Sequence, residues 1–232
     1  MIAGSDSPLA LQLAARVEKL NPPLVDDVLA AAARSVIELL DDERSQPEGE
    51  WFEEVSAWNG ARIRKIMRRG RASAWQRAQG LAGVTVQVGT AEVRAFVPGR
   101  LDEAPRDLAK LQIRSTPLDE PELTDALPSI RAGELIIAVT PDVEMSWGKL
   151  AAQCAHAGQR AWERVDSATR EQWRVGGSVI RAVRPDAELW DQLRSDPARE
   201  VAEIRDGGFT EIPAGTLTAI GWIETSIQKE GG

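Results

Sequence analysis

Four polar side chains recur at helical spacing between residues 149 and 160 of this 232-residue chain. Lys149, Gln153, His156 and Arg160 stand at i, i+4, i+7 and i+11, so on a helix they share one face. The opposite side is small and apolar: Leu150, Ala151, Cys154, Ala157, Gly158 and Ala161. Small residues let a helix lie close on a sheet, and the polar stripe then faces solvent or a cleft. About fifty residues later a second run, RDGGFTEIPAGTLTAIG from Arg205 to Gly221, sets one acid, Asp206, among turn residues and hydroxyls. An ammonium, an amide, an imidazole and a carboxylate are the groups that move protons and hold developing charge. Together the two segments suggest a site. Each member also has a plainer reading: Lys149 as a solvated first-turn residue, His156 as a hydrogen-bonded packing residue, Asp206 as a turn former before Gly207 and Gly208. Cys154 falls on the apolar side and reads as inert core.

The elements that would position these groups follow from periodicity. ELIIAVT (134–140) reads as a short apolar strand leading into the striped helix (148–165). Ser178–Arg184 reads as a second strand, and Asp186–Arg194 as a helix started by Pro185 and Asp186. Val201–Arg205 and Leu217–Ile223 are two further short strands. Strands separated by helices imply an α/β domain, here an α/β/α arrangement on a small four-stranded mixed sheet.

The first half reads as mostly helical. Leu9, Leu13, Val17 and Leu20 repeat at helical spacing and stop at Asn21-Pro22-Pro23. An Ala-rich helix spans about 24–40, and another pattern starts at Trp51, Val55 and Trp58. A basic helix then runs from Arg62 to Arg77, with seven cations and no acid. Val84–Val88 and Ala91–Val97 flank Gly89-Thr90 as a hairpin. The layout expected is a helical domain over 1–113, a Pro-rich linker over 114–133 and the α/β domain over 134–232, with no internal repeat.

Composition bounds the rest. A hydrophobic fraction of 43% and a charged fraction of 28% are ordinary for a soluble domain. No apolar run approaches the ~20 residues of a membrane span, and the N-terminus lacks the pattern of a secretory signal. One cysteine and one histidine argue against a disulfide and a metal centre, and fit a reducing cytoplasm. No cofactor is expected. The net charge of −8 would repel nucleic acid if it were uniform. The cluster Arg62, Arg64, Lys65, Arg68, Arg69 and Arg71 breaks that uniformity. With Trp58 and Trp75 nearby, it suits phosphate contact and base stacking. The alternatives are a solvated face, or pairing with the acidic stretch 41–54.

Met145-x-x-Gly148-Lys149-x-Ala151-Ala152-Gln153-x-x-His156-Ala157, after a strand and Asp142, resembles the first signature of the type 2 peptidyl-tRNA hydrolases. Asp206-x-Gly208-x-Thr210, then Gly215 and Thr218, is similar to the second. The resemblance covers about 131–225 and none of the first 130 residues. It departs from the family pattern at Thr140, at Trp147 and in a shortened C-terminus after Gly221-Trp222-Ile223. It implies hydrolysis of the ester joining a peptidyl group to tRNA, by directly activated water, with no covalent intermediate. It also implies tRNA as partner and a homodimer through sheet or helix faces. On this likeness the catalytic candidates are Lys149, Asp206, Thr210, Thr218 and His156. Gln153, Arg160 and Gly148 are the candidates for substrate binding. Asp206 would orient or deprotonate the water, although an aspartate is a weak base unless its surroundings change that. Lys149 would serve a phosphate, an oxyanion or the Asp206 carboxylate. The threonine hydroxyls would position water or ribose. Two rival expectations are a protein of the same fold that binds tRNA or ribosomes without catalysis, and a hydrolase or regulator acting on another small acylated substrate.

Overall fold

In the computed structural model the described residues are 7–60, 63–113, 130–197, 199–208 and 212–225. Most of the expected linker, 114–129, therefore lies outside them, as do Arg62 and Thr210. The first half runs β1 (Leu9–Arg16), α1 (Val25–Asp41), α2 (Phe52–Asn59), β2 (Lys65–Gly70), α3 (Ala72–Ala78), β3 (Gly83–Val88), β4 (Ala91–Phe96), β5 (Gly99–Arg100) and α4 (Arg106–Ala109). The second half runs β6 (Leu135–Val139), α5 (Trp147–Arg164), α6 (Ser167–Val175), β7 (Ile180–Val183), α7 (Ala187–Ser195), β8 (Ala202–Arg205) and β9 (Leu217–Ile223).

The second half follows the pattern read from sequence. Its four strands lie in the order β7-β6-β9-β8, with β6 parallel to β7 and antiparallel to β9. Ile136, Ala138, Ile220 and Trp222 cover one face against Trp190 and Leu193 of α7. Leu135, Ile137, Val139 and Ala219 turn the other way, towards α5. Asp186 starts α7 by accepting from the Leu189 N–H at 2.8 Å. The helix α6 was not anticipated from sequence. Asp166 caps it, accepting from the Thr169 N–H.

The first half carries a five-stranded sheet where periodicity suggested a hairpin among helices. Two expectations are corrected. Leu9–Arg16 is a strand rather than a helix, nearly all of it buried, pairing with β2, β4 and β5. A mostly apolar run between two covered faces shows no alternation, so helical spacing of leucines arises by chance. The basic segment is the strand β2 followed by the short helix α3. The single cationic helix face expected there does not exist, because strand residues alternate.

Helices α1 and α5 lie against each other between the two sheets. Gly158 makes the approach possible, since a Cβ there would stand 2.9 Å from that of Ala33. One core joins the halves, with Leu13, Ala33, Ile37 and Met67 in the same cluster as Ile137, Leu150, Cys154 and Ala219. The outer face of the first sheet is covered by Trp75 and Ala78 of α3 and Leu108 of α4. No helix among the described residues is long and apolar enough to cross a membrane.

Candidate active site

The site begins where β6 ends and α5 starts. Ser146 caps α5, its hydroxyl accepting from the Lys149 N–H at 3.4 Å. Lys149 is thereby fixed in the first turn, with Gln153 one turn on. On the facing strand pair, Asp206 follows β8 directly, and the loop beyond folds back on it. The Asp206 N–H donates to the Thr216 carbonyl, and the Gly215 N–H donates to the Asp206 carbonyl, both at 2.8 Å. Gly208 (φ +75°) and Gly215 (φ +85°) supply the left-handed turns that this loop needs.

These elements bring four of the expected residues together. The Asp206 Oδ2 accepts from the Lys149 ammonium in a close ion pair, and from Gln153 Nε2 at 2.8 Å. Its Oδ1 accepts from the Gly208 N–H, also at 2.8 Å. Gln153 Oε1 in turn accepts from the Thr218 hydroxyl at 2.7 Å, and that hydroxyl also lies 3.2 Å from the Ile204 carbonyl. Thr218 thus fixes which way the Gln153 amide points, and Gln153 fixes the carboxylate. The ion pair is almost enclosed, with side-chain exposures of 13% for Lys149 and 4% for Asp206. A carboxylate so shielded keeps its attractions largely unscreened. Thr140, at the departure from the family pattern, is buried beside this network and donates its N–H to the Thr218 carbonyl at 3.1 Å. Trp147, the other internal departure, is buried in the shared core. Gly148 lies against Met67, with room for a Cβ.

The other half of the helical stripe meets the first half of the chain. His156 Nδ1 stands 3.2 Å from the Lys65 ammonium of β2. Where Lys65 carries its third proton it can only donate, and in that state Nδ1 accepts and the ring proton sits on Nε2. Lys65 also donates to Gln159 Oε1, and Gln159 Nε2 donates to Asn59 at 3.0 Å and Glu163 at 2.7 Å. Burial, then the charges of Lys65, Arg160 and Lys149, hold the His156 imidazole well below the usual histidine range. Burial likewise pushes Lys65 well below the usual lysine range, against the pull of Glu163. Arg160 lies at the exposed end of the stripe, paired with Glu163 at 2.7 Å.

Of the cations proposed to meet RNA, Lys65 and Arg68 are buried. Arg68 donates to Gln12 Oε1 at 2.6 Å and to the Leu111 carbonyl at 2.9 Å. Arg69 donates to Gln112 at 2.8 Å, and Arg71 is exposed at the start of α3. Sequence reasoning missed Ser146, Gln159 and Asn59. Only Ser146 carried a signal, a hydroxyl three residues before Lys149 at a helix start. Burial pushes the Cys154 thiol up to about 12, which leaves it no nucleophilic role.

This geometry lies within a recognised stretch. The family described as Peptidyl-tRNA hydrolase PTH2 matches residues 134–226. A peptidyl-tRNA hydrolase of Methanothermobacter thermautotrophicus is 36% identical over 90 residues, which is 37% of this chain and 80% of that one. One from Staphylothermus marinus is 37% identical over 93 residues, 37% of this chain and 77% of the relative. The mitochondrial peptidyl-tRNA hydrolase 2 of Bos taurus is 30% identical over 123 residues, 49% of this chain and 68% of the relative. With an Asp206 centre assembled inside the matched stretch and these relatives covered over most of their length, the chain belongs to the peptidyl-tRNA hydrolase family.

Proposed function

We propose that this chain hydrolyses the ester between a peptidyl group and the 3′ ribose of tRNA, with water as the direct nucleophile. The observation that carries the proposal is the network Thr218–Gln153–Asp206–Lys149, whose residues the family resemblance names and whose contacts hold one carboxylate in a single orientation beside an ammonium. Asp206 accepts the proton of the attacking water or holds that water in line. Lys149, close to the same carboxylate, supplies the positive charge that the tetrahedral oxyanion needs. Thr218 acts through Gln153 rather than on the substrate, because its one proton is engaged inside the protein. Thr210, two positions after Gly208 in the sequence, is the candidate for holding water or ribose. The intact network favours an active enzyme over a binding protein of the same fold.

The partner we assign is tRNA, held in part by the accessible cations Arg69, Arg71 and Arg160. Helix α1 already covers the α5 face, so a homodimer would pair through another surface. A reduced, buried Cys154 accords with a cytoplasmic setting. Single-turnover hydrolysis of an N-blocked aminoacyl-tRNA tests the reading. Wild type is expected to release free tRNA, and Asp206→Asn and Lys149→Ala to slow it by ~10²–10³-fold, the usual loss of an electrostatic or proton-transfer group. A folded wild-type chain that leaves the ester intact would refute it.

A further inference from the structure

The two halves have the same topology. Each runs strand, long helix, short helix, parallel strand, short helix, then an antiparallel strand pair. The sheet orders, β2-β1-β4-β3 and β7-β6-β9-β8, correspond strand for strand, as do the directions. Register repeats as well. Leu11 opposes Lys65 while Leu13 opposes Ala95, and Leu135 opposes Ile180 while Ile137 opposes Gly221.

Details that topology does not force are repeated too. Trp58 in α2 donates its indole N–H to the Arg64 carbonyl at 3.1 Å, and Trp173 in α6 donates to the Val179 carbonyl at 3.1 Å. The same two carbonyls accept from the Leu11 and Leu135 N–H groups at 2.9 and 3.0 Å. Trp75 and Trp190 then follow at equal spacing, each buried beneath the outer face of its own sheet. The halves also touch reciprocally, α1 on α5, α1 on β7 and α5 on β2. That is the contact pattern of two like subunits about a two-fold axis.

The first half lacks the chemistry. Val86 opposes Val93 where Ile204 opposes Ala219, and beyond that pair the first half runs through Gln87 and Val88 into the Gly89-Thr90 turn, with no carboxylate where the second half, shifted in register after Ile204, places Asp206. The first turn of α1 carries Asp26 and Asp27 where that of α5 carries Lys149, and the run Ala30–Ala33 takes the place of Gln153. Asp27 instead accepts from the N–H and hydroxyl of Thr90 at 2.7 Å each, closing its own hairpin turn. What the first half does contribute to the catalytic half is the strand β2. Lys65 runs over the Trp58 ring, 5.0 Å from its centre, to reach His156 and Gln159.

We propose that residues 9–109 are a second, catalytically blank copy of the fold, fused in the place of a partner subunit, and that its Lys65 is a positioning residue holding the His156 imidazole in the Nε2–H form beside the Lys149–Asp206 centre. The groups facing the imidazole are Lys65 from β2 and Lys149, Gln159 and Arg160 from its own helix. Glu163 and Asn59 of α2 act on it through Gln159 and Lys65. The bearing of Lys65 on turnover rests on the hydrolase reading above, whereas the state of the imidazole does not.

The chain has one histidine, so nitrogen-15 NMR of the full-length protein reports this ring alone. The wild-type ring is expected to show a bare Nδ1 and a protonated Nε2, and to stay neutral well below the usual histidine range. Lys65→Met keeps an apolar stem over Trp58 and removes the donor and its charge. It should mix the tautomers, raise the imidazole pKa by about one unit and move the acid limb of the hydrolysis profile by the same amount. A wild-type ring protonated on Nδ1 overturns the proposal without any variant, as does a Lys65→Met ring that titrates like wild type. A shifted ring with an unchanged hydrolysis profile overturns the positioning role. A shifted ring in a chain that never hydrolyses ester keeps the Lys65–His156 link and sinks only the hydrolase reading. If the first copy is blank, Asp206→Asn leaves no second activity. Residual turnover that vanishes on adding Asp27→Asn would overturn that part.

Discussion

Lys149 and Asp206 form a nearly enclosed ion pair, and such pairs are costly to break from one side. Removing Lys149 alone strands a buried carboxylate, so Lys149→Ala should lower unfolding free energy by about 3–5 kcal/mol. Asp206→Asn retains a group that can accept from Gln153 and costs less. Replacing both, Lys149→Met with Asp206→Leu, should recover most of the loss in urea denaturation while hydrolysis stays abolished. A double variant no more stable than Lys149→Ala would show that the pair is needed for the fold as well as for the chemistry. Much of this centre was legible in the sequence, because Lys149, Gln153, Asp206 and Thr218 sit in two spaced motifs. The roles were less so. That Thr218 works through an amide depends on a contact across 65 residues. Lys65 and Arg68 were read as RNA contacts because charge suggests exposure, and only the packing shows both turned inward.

Helix α5 reaches the sheet through glycine. A Cβ on Gly221 of β9 would lie 2.7 Å from the Ala157 carbonyl oxygen, a backbone atom that moves only with the helix. Gly221→Ala should therefore lift α5 from the sheet, cost about 1–3 kcal/mol and reduce hydrolysis by displacing Lys149 and Gln153 from Asp206. Gly99→Ala, where a Cβ would meet nothing within 4 Å, is the control and should change neither. Equal effects of the two substitutions in denaturation and turnover would refute the close-packing account. At this scale the second half could be read strand by strand from apolar runs bounded by turn residues. The element β1 could not, since LALQLAAR lacks β-branched residues and alternation alike. Nor could β2, whose buried positions include Lys65 and Arg68 beside Met67. The repeat between halves was invisible for the same reason. It survives in hydrogen-bond register and in tryptophans such as Trp58 and Trp173, while the side chains around them have changed.

Sequence suggested two domains with a linker between them, and a chain of that kind would unfold in two steps. One buried cluster, however, crosses between the halves. Val28, Ala33 and Ile37 of the first half share one buried cluster with Leu150, Cys154 and Ala157 of the second. Arg174 of α6 reaches back to pair with Asp41 at 2.6 Å, tying the end of α1 to the second half. Separating the halves would expose the α1–α5 seam, lined by small apolar residues that pack closely enough to exclude water. We expect one calorimetric transition whose midpoint coincides with that of tryptophan fluorescence, and Gly158→Leu to lower both together. A Leu side chain there must push Ala33 away and also meets Ile137 of β6, so it attacks the seam where the two long helices and the second sheet converge. Two resolved transitions in the wild type would mean that the halves are independent domains, and Lys65 could not then be a fixed wall of the site. A single transition makes the blank half part of the catalytic unit, because no state would be populated in which β2 has left α5 and the Asp206 centre remains formed.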